Sequence, residues 1–284
     1  MKHQLLNLAN DVLKTTGMQL SKLASQKTPT NSFMSDPQLQ ARLVTELADA
    51  ARPVLEDIFG QAPAPADLEQ RIAELFAVLR KRELGRDNFG GSGFHNTFWI
   101  FLVCRLIDPK LVIESGVWKG HTSWLLDTIN PHAAVHGFDI DISRLEYRGN
   151  VDFHQHDWST YRFDDLDPER ALIFFDCHIN HAQRILEAKE KGFKHILFDD
   201  NPPIHKLYGY ILPGFPTAAM LADPSCPDHG DVTWECAGRK VTYTIDKDQF
   251  LAARDLIDYH LILPDVGHIV NFGGYSFLSY VRLK

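Results

Sequence analysis

The run Leu111-Val112-Ile113-Glu114-Ser115-Gly116-Val117-Trp118-Lys119-Gly120-His121-Thr122-Ser123 constrains this chain more than any other segment. A short apolar strand leads into a two-glycine turn and then directly into a helix start, which is the opening half of a β–α–β crossover. Comparable β-rich runs follow at 135–140, 151–156, 172–176, 195–199, 259–263 and 275–282. Helices fit between them at 122–129 and 181–191, with another expected beyond Tyr210. Strands alternating with helices build a mostly parallel sheet. The last two runs are joined through Pro264-Asp265-Val266-Gly267 without an intervening helix, so an antiparallel edge strand is expected. The fold class is therefore α/β: a Rossmann-like, mostly parallel seven-stranded sheet with an antiparallel edge strand.

Ahead of this region the pattern is helical. Residues 4–23, 38–59 and 67–84 carry apolar residues at helical spacing, and a further apolar helix is expected at 94–107. The breaks between them are turn chemistry: Lys27-Thr28-Pro29-Thr30-Asn31-Ser32, Gly60-Gln61-Ala62-Pro63-Ala64-Pro65, and Gly85-Arg86-Asp87-Asn88 running into Gly90-Gly91-Ser92-Gly93. This divides the chain into a helical N-terminal extension, 1–90, acting as a lid or dimerisation element, and a ligand-binding catalytic domain, 91–284. The stripe Leu68, Ile72, Leu75, Phe76 and Leu79 has to pack on something. A homodimer is one way to cover it.

Charge and cysteine content narrow the partners. The 284 residues carry a formal net charge of −8 and no Lys/Arg block, which speaks against nucleic acid and favours a small-molecule or glycan-like substrate. The helix at 4–23 lacks a cationic face suited to a membrane surface. The four cysteines show no CxxC spacing, and no leader or long apolar span is visible, so reduced thiols in a cytoplasmic protein are expected. Cys226 and Cys236 are the one pair near enough in sequence to raise a hairpin disulfide.

The charge at the glycine turn bears on the ligand. Glu114 beside Gly116 and Gly120 is a poor neighbour for a pyrophosphate, and the G-x-G-x-x-G spacing of dinucleotide sites is missing. S-adenosylmethionine carries an ammonium and a sulfonium instead, which a carboxylate favours. Asp139 ends the second strand about 20 residues beyond the turn, where a ribose is recognised. Asp157 ends the third and can accept from an adenine amino group. Ser123 lies in the first turn of the following helix. Trp118, Phe138 and Trp158 offer aromatic faces to a sulfonium or a base, with core packing as the alternative.

The segment Glu114-Ser115-Gly116-Val117-Trp118-Lys119-Gly120 resembles the glycine motif of class I methyltransferases, most of all the macrocin O-methyltransferase group. Motif similarity is concentrated at 111–123 and is weaker at 172–201. The resemblance implies a Rossmann-like methyltransferase fold and a metal held by an aspartate after the fourth strand and an aspartate pair after the fifth. Here these are Asp176 and Asp199-Asp200. Three carboxylates at adjacent strand ends repel one another unless neutralised, and oxygen donors of this kind suit Mg²⁺, which lowers the pKa of a bound hydroxyl. His178 falls where the related enzymes carry a base, and His181 is an alternative base or a fourth ligand. The implied function is O-methylation of a small-molecule or sugar hydroxyl by S-adenosylmethionine, Mg²⁺-assisted. Two rivals stand beside it: an NAD(P)-dependent oxidoreductase on the same architecture, and a non-catalytic scaffold keeping the fold.

Overall fold

A computed structural model describes residues 36–81, 92–209, 214–236, 238–270 and 275–284. The helix expected at 4–23 and most of the glycine-rich boundary lie outside the described residues. Two helices come first, α1 (Pro37–Phe59) and α2 (Pro65–Arg80). Asp36 caps α1 by accepting from the Gln38 and Leu39 amides, and Gly60 ends it in the left-handed conformation at φ 73°. The next helix, α3 (Phe94–Ile107), is apolar nearly all round, as a helix enclosed on every side must be.

The sheet then begins: β1 (Leu111–Ser115), α4 (His121–Ile129), β2 (Ala134–Phe138), β3 (Asp152–His154), β4 (Ala171–Phe175), α5 (His181–Glu190) and β5 (His195–Phe198). Beyond β5 come the short helix α6 (Ala218–Ala222), a hairpin of β6 (Gly230–Cys236) and β7 (Arg239–Ile245), α7 (Lys247–Leu256), β8 (Ile257–Ile262) and β9 (Ser279–Leu283). Among the described residues seven strands form one sheet in the order β3-β2-β1-β4-β5-β9-β8. The five strands β1 to β5 run parallel, and β9 runs antiparallel to both its neighbours. The expected mostly parallel sheet is what forms, and its antiparallel strand lies at the anticipated end, slotted between β5 and the outermost β8. The order reverses between β1 and β4, and open sheets of this kind take their ligands beside the carboxyl ends at such a switch point.

Two apolar layers cover the sheet. On one face Val112, Leu172, Phe174, Leu197 and Tyr280 pack with α1, α2, α3 and α4 in one continuous cluster. On the other, Ile113, Ile173, Phe175, Ile196 and Phe198 pack with α5, α6 and α7. Cover on both faces explains why β4 reads as the unbroken run Ala-Leu-Ile-Phe-Phe and is buried throughout. The stripe Leu68, Ile72, Leu75 and Phe76 is covered within the chain itself. The β6–β7 hairpin stands outside the main sheet as a two-stranded unit and was not foreseen. Its strands alternate exposed and half-buried residues, a weak apolar signal beside the dense runs of β1, β4 and β5. All four cysteines are free thiols. Among the described residues no helix is long and apolar enough to cross a membrane.

Candidate active site at the carboxyl ends of the strands

The ladder continues past the strand ends and gathers the acidic residues along one rim. The Gly116 amide donates to Phe138 O (2.8 Å), the Asp176 amide to Ser115 O (2.8 Å), the Asp199 amide to Phe175 O (2.9 Å) and the Asp139 amide to His154 O (3.1 Å). Gly116 sits at φ 99°, and a Cβ there would lie 2.4 Å from the Asp176 carbonyl oxygen. Glycine is therefore required for the β1 turn to pass against the β4 turn. Gly120, at φ 83°, leads into α4, and a Cβ would meet Leu145 and Tyr147 at 2.8 and 2.9 Å. Asp139 holds the turn shut: one oxygen accepts from the Val117 and Trp118 amides (2.9 and 3.0 Å), the other from the Asp141 amide (3.0 Å). Trp118 adopts φ 47°, and Lys119 Nζ lies 5.1 Å from its ring centre.

Glu114 lies beneath this turn, 1% exposed, accepting a hydrogen bond from the buried Ser123 hydroxyl. Burial pushes its pKa up to about 8; the Ser123 bond opposes the shift and the Asp139 charge adds to it. No Arg or Lys pairs with it among the described residues.

Asp176, His178 and Asp200 each offer a ligand atom, all within 4.8 Å of one another. Burial raises the Asp176 pKa well above the carboxylate range, reinforced by Asp199, Asp200 and Glu114. Burial likewise lifts Asp200 to about 6. His178 Nδ1 is 3.4 Å from an Asp200 oxygen, and the imidazole is 55% exposed. Both residues take positive φ, 52° and 46°, a conformation costing a non-glycine residue on the order of 1 kcal/mol.

Asp199, expected as a metal ligand with Asp176 and Asp200, is not one of the three residues whose ligand atoms come together. Its carboxylate accepts from Asn96 Nδ2 (2.8 Å), from the Ser276 hydroxyl and from the Asp200 amide (2.9 Å). With both oxygens bonded and only 8% exposure, it braces the rim. Asn96 and Ser276 are functional neighbours that sequence reasoning missed, since they lie 103 and 77 residues away along the chain.

Four further expectations meet different surroundings. His181, proposed as an alternative base or ligand, is 3% exposed; it stacks on Phe198 at 4.2 Å, and its Nδ1 accepts from the Ala218 amide at 3.1 Å. Burial drives its pKa down to about 3, so it serves as a neutral packing and capping group. Asp157, expected to meet an adenine amino group, is paired with Arg184 (3.0 and 2.5 Å) and accepts from the Ser159 amide (2.9 Å). Burial alone would raise its pKa, but the Arg184 and Ser159 bonds outweigh that and hold it near 2. Trp158 is fully buried between Phe175 and Phe193, at 5.2 and 6.0 Å, in the core and not at the rim. Phe138 likewise packs inside, 4.5 Å from the His154 ring.

No protein-family model and no curated protein matches the chain. Among solved structures, a putative O-methyltransferase from Klebsiella pneumoniae is similar over 84% of this chain and 99% of its own, at 12% identity and a TM-score of 0.41. The cofactor-bound Rv0187 from MTB is similar over 83% and 96%, at 15% identity and a TM-score of 0.38. A CmcI structure described as its Mg-SAM form is similar over 45% of this chain and 64% of its own, at 20% identity and a TM-score of 0.35. This chain thus spans just under two thirds of that CmcI chain. At such identities and scores these likenesses assign no chemistry, which rests on the residues of this chain.

Proposed function

We propose that the chain is an S-adenosylmethionine-dependent methyltransferase of class I type, methylating a hydroxyl oxygen of a small-molecule or sugar acceptor. The macrocin O-methyltransferase group is the one its glycine motif resembles. The observation carrying this reading is Glu114: a buried carboxyl with no cationic partner among the described residues, set under a glycine turn at the switch point. An ammonium group placed there would ionise it. The turn also argues against a dinucleotide, because the Val117 and Trp118 amides that would face a pyrophosphate are already bonded to Asp139.

When bound, S-adenosylmethionine supplies an electrophilic methyl group on a sulfonium. The chain's own residues do the remaining work. Gly116 gives backbone clearance, Glu114 and the acidic rim favour a cationic ligand, and Asp139 fixes the turn. On the acceptor side His178 has two exclusive uses. As a base, its Nδ1–H donates to Asp200, leaving Nε2 to take the hydroxyl proton during in-line attack. As a ligand, Nδ1 joins the Asp176 and Asp200 carboxylates around a divalent cation, whose chemistry would be to lower the pKa of the acceptor hydroxyl.

Calorimetric titration with S-adenosylmethionine and with NAD, each with and without Mg²⁺, tests the reading. Micromolar binding of S-adenosylmethionine alone is expected, weakened by Glu114→Gln. Binding of NAD instead, or of neither, would overturn it and leave the oxidoreductase or the scaffold reading.

A further inference from the structure

We propose that His136, His154 and Asp152 form a second site, for a tetrahedral transition-metal ion of the Zn²⁺ type, on the β2–β3 side of the sheet. It is independent of the strand-end site and of the methyl-transfer reading. The parallel register sets Asp152 beside His136 and His154 beside Phe138, so alternate residues of the two strands bring all three ligands to one face.

The donor atoms form a nearly regular triangle. His136 Nδ1 is 3.1 Å from His154 Nε2, and these nitrogens lie 3.6 and 3.5 Å from the same Asp152 oxygen. A tetrahedral ion with bonds of about 2.0–2.1 Å holds its ligand atoms about 3.3–3.4 Å apart. An octahedral Mg²⁺ with bonds of similar length needs neighbouring ligands at about 2.9 Å. All three edges exceed the second value and straddle the first, and two imidazoles with one carboxylate are donors that suit Zn²⁺.

The site is held in place by its surroundings. His154 stacks on Phe138 at 4.5 Å with an interplanar angle of 15°, and Tyr161 closes on it at 4.8 Å. Phe163 stands edge-on to His136 at 6.1 Å. The imidazoles are 16% and 14% exposed, whereas Asp152 is 63% exposed, so the fourth position opens toward solvent on the Asp152 side. An ion here would tie the three-residue strand β3 to β2.

The test uses the full chain stripped with a chelator, with Co²⁺ as a visible probe and Zn²⁺ as competitor. The double variant Asp176→Asn/Asp200→Asn removes the strand-end donors. It should still bind one equivalent of Co²⁺ with the intense visible bands of tetrahedral coordination, displaced by Zn²⁺. Adding His154→Gln should abolish the bands, and adding Asp152→Asn should weaken binding by about tenfold or more. Far-UV circular dichroism checks that the variants fold; if the His154 variant does not, the exposed Asp152 substitution decides. Absence of tetrahedral bands in the double variant, or bands indifferent to Asp152→Asn, would overturn the proposal and leave a hydrogen-bonded His–His–Asp group.

Discussion

Gly116 and Glu114 show how single positions set this crevice. At Gly116 an added methyl group meets the Asp176 backbone at 2.4 Å and a positive φ together, so Gly116→Ala should destabilise the fold by about 2 kcal/mol or more in urea unfolding. It should abolish S-adenosylmethionine binding as well. Glu114 predicts a pH dependence whose sign follows from its raised pKa. Between its ordinary value of 4.5 and the folded value of about 8, the folded chain keeps a proton that the unfolded chain has lost. Glu114 therefore makes stability fall as pH rises through that window, with no further change above it. Replacing Glu114 by Gln should flatten this slope, leaving the variant close to wild type near pH 5 and more stable by on the order of a few kcal/mol near pH 8.5. Because an ammonium would draw the proton off, cofactor binding near pH 7 should release protons. Calorimetry in buffers of different ionisation enthalpy would register this as a buffer-dependent heat.

Elements act here by carrying braces to the rim. α3 is a core helix, yet it places Asn96 against Asp199, and the loop before β9 adds Ser276. Asn96→Ala leaves a buried carboxylate short of a donor, at a cost of about 1–3 kcal/mol measurable by denaturant unfolding. The β6–β7 hairpin flanks the other side. Trp234 and Tyr243 pack on Phe215 at 5.4 and 4.5 Å, and the Tyr243 hydroxyl is 3.4 Å from Asn180, two residues beyond His178. Trp234→Ala should accordingly raise the KM for the acceptor and leave the Kd for S-adenosylmethionine unchanged. Equal effects on both would mean that the hairpin supports the fold as a whole and not the acceptor side.

At the scale of the molecule, two acidic–imidazole clusters among the described residues sit on one sheet, one past β4 and β5 and the other on β2 and β3. An imidazole in the strand-end set shifts its preference from Mg²⁺ toward Mn²⁺. If His178 is a ligand, Mn²⁺ should support methyl transfer better than Mg²⁺, and His178→Ala should abolish that difference. If His178 is the base, chelation should leave activity intact while His178→Ala lowers kcat about 100-fold or more. Activity assays with and without chelator separate the two.

Much of the scaffold was legible along the chain. Apolar runs bounded by turn chemistry mark β1, β4 and β5, and helical spacing marks α1, α2 and α3 almost to their ends, because cover on both sheet faces forces an unbroken local pattern. The strand-end rim was legible too, since Asp139, Asp176 and Asp199 each directly follow their strands. The hairpin was not, because half-exposed strands leave a sparse signal. Nor could sequence tell which way a carboxylate turns: Asp199 and Asp200 are neighbours, yet Asn96 and Ser276 claim the first while His178 faces the second. Asp157 met Arg184, and His181 and Trp158 were buried, for the same reason. Local pattern determined where the chain becomes strand, turn and helix; only tertiary structure decided each polar group's partner, because that partner lies far along the chain and is chosen by what packing leaves within reach.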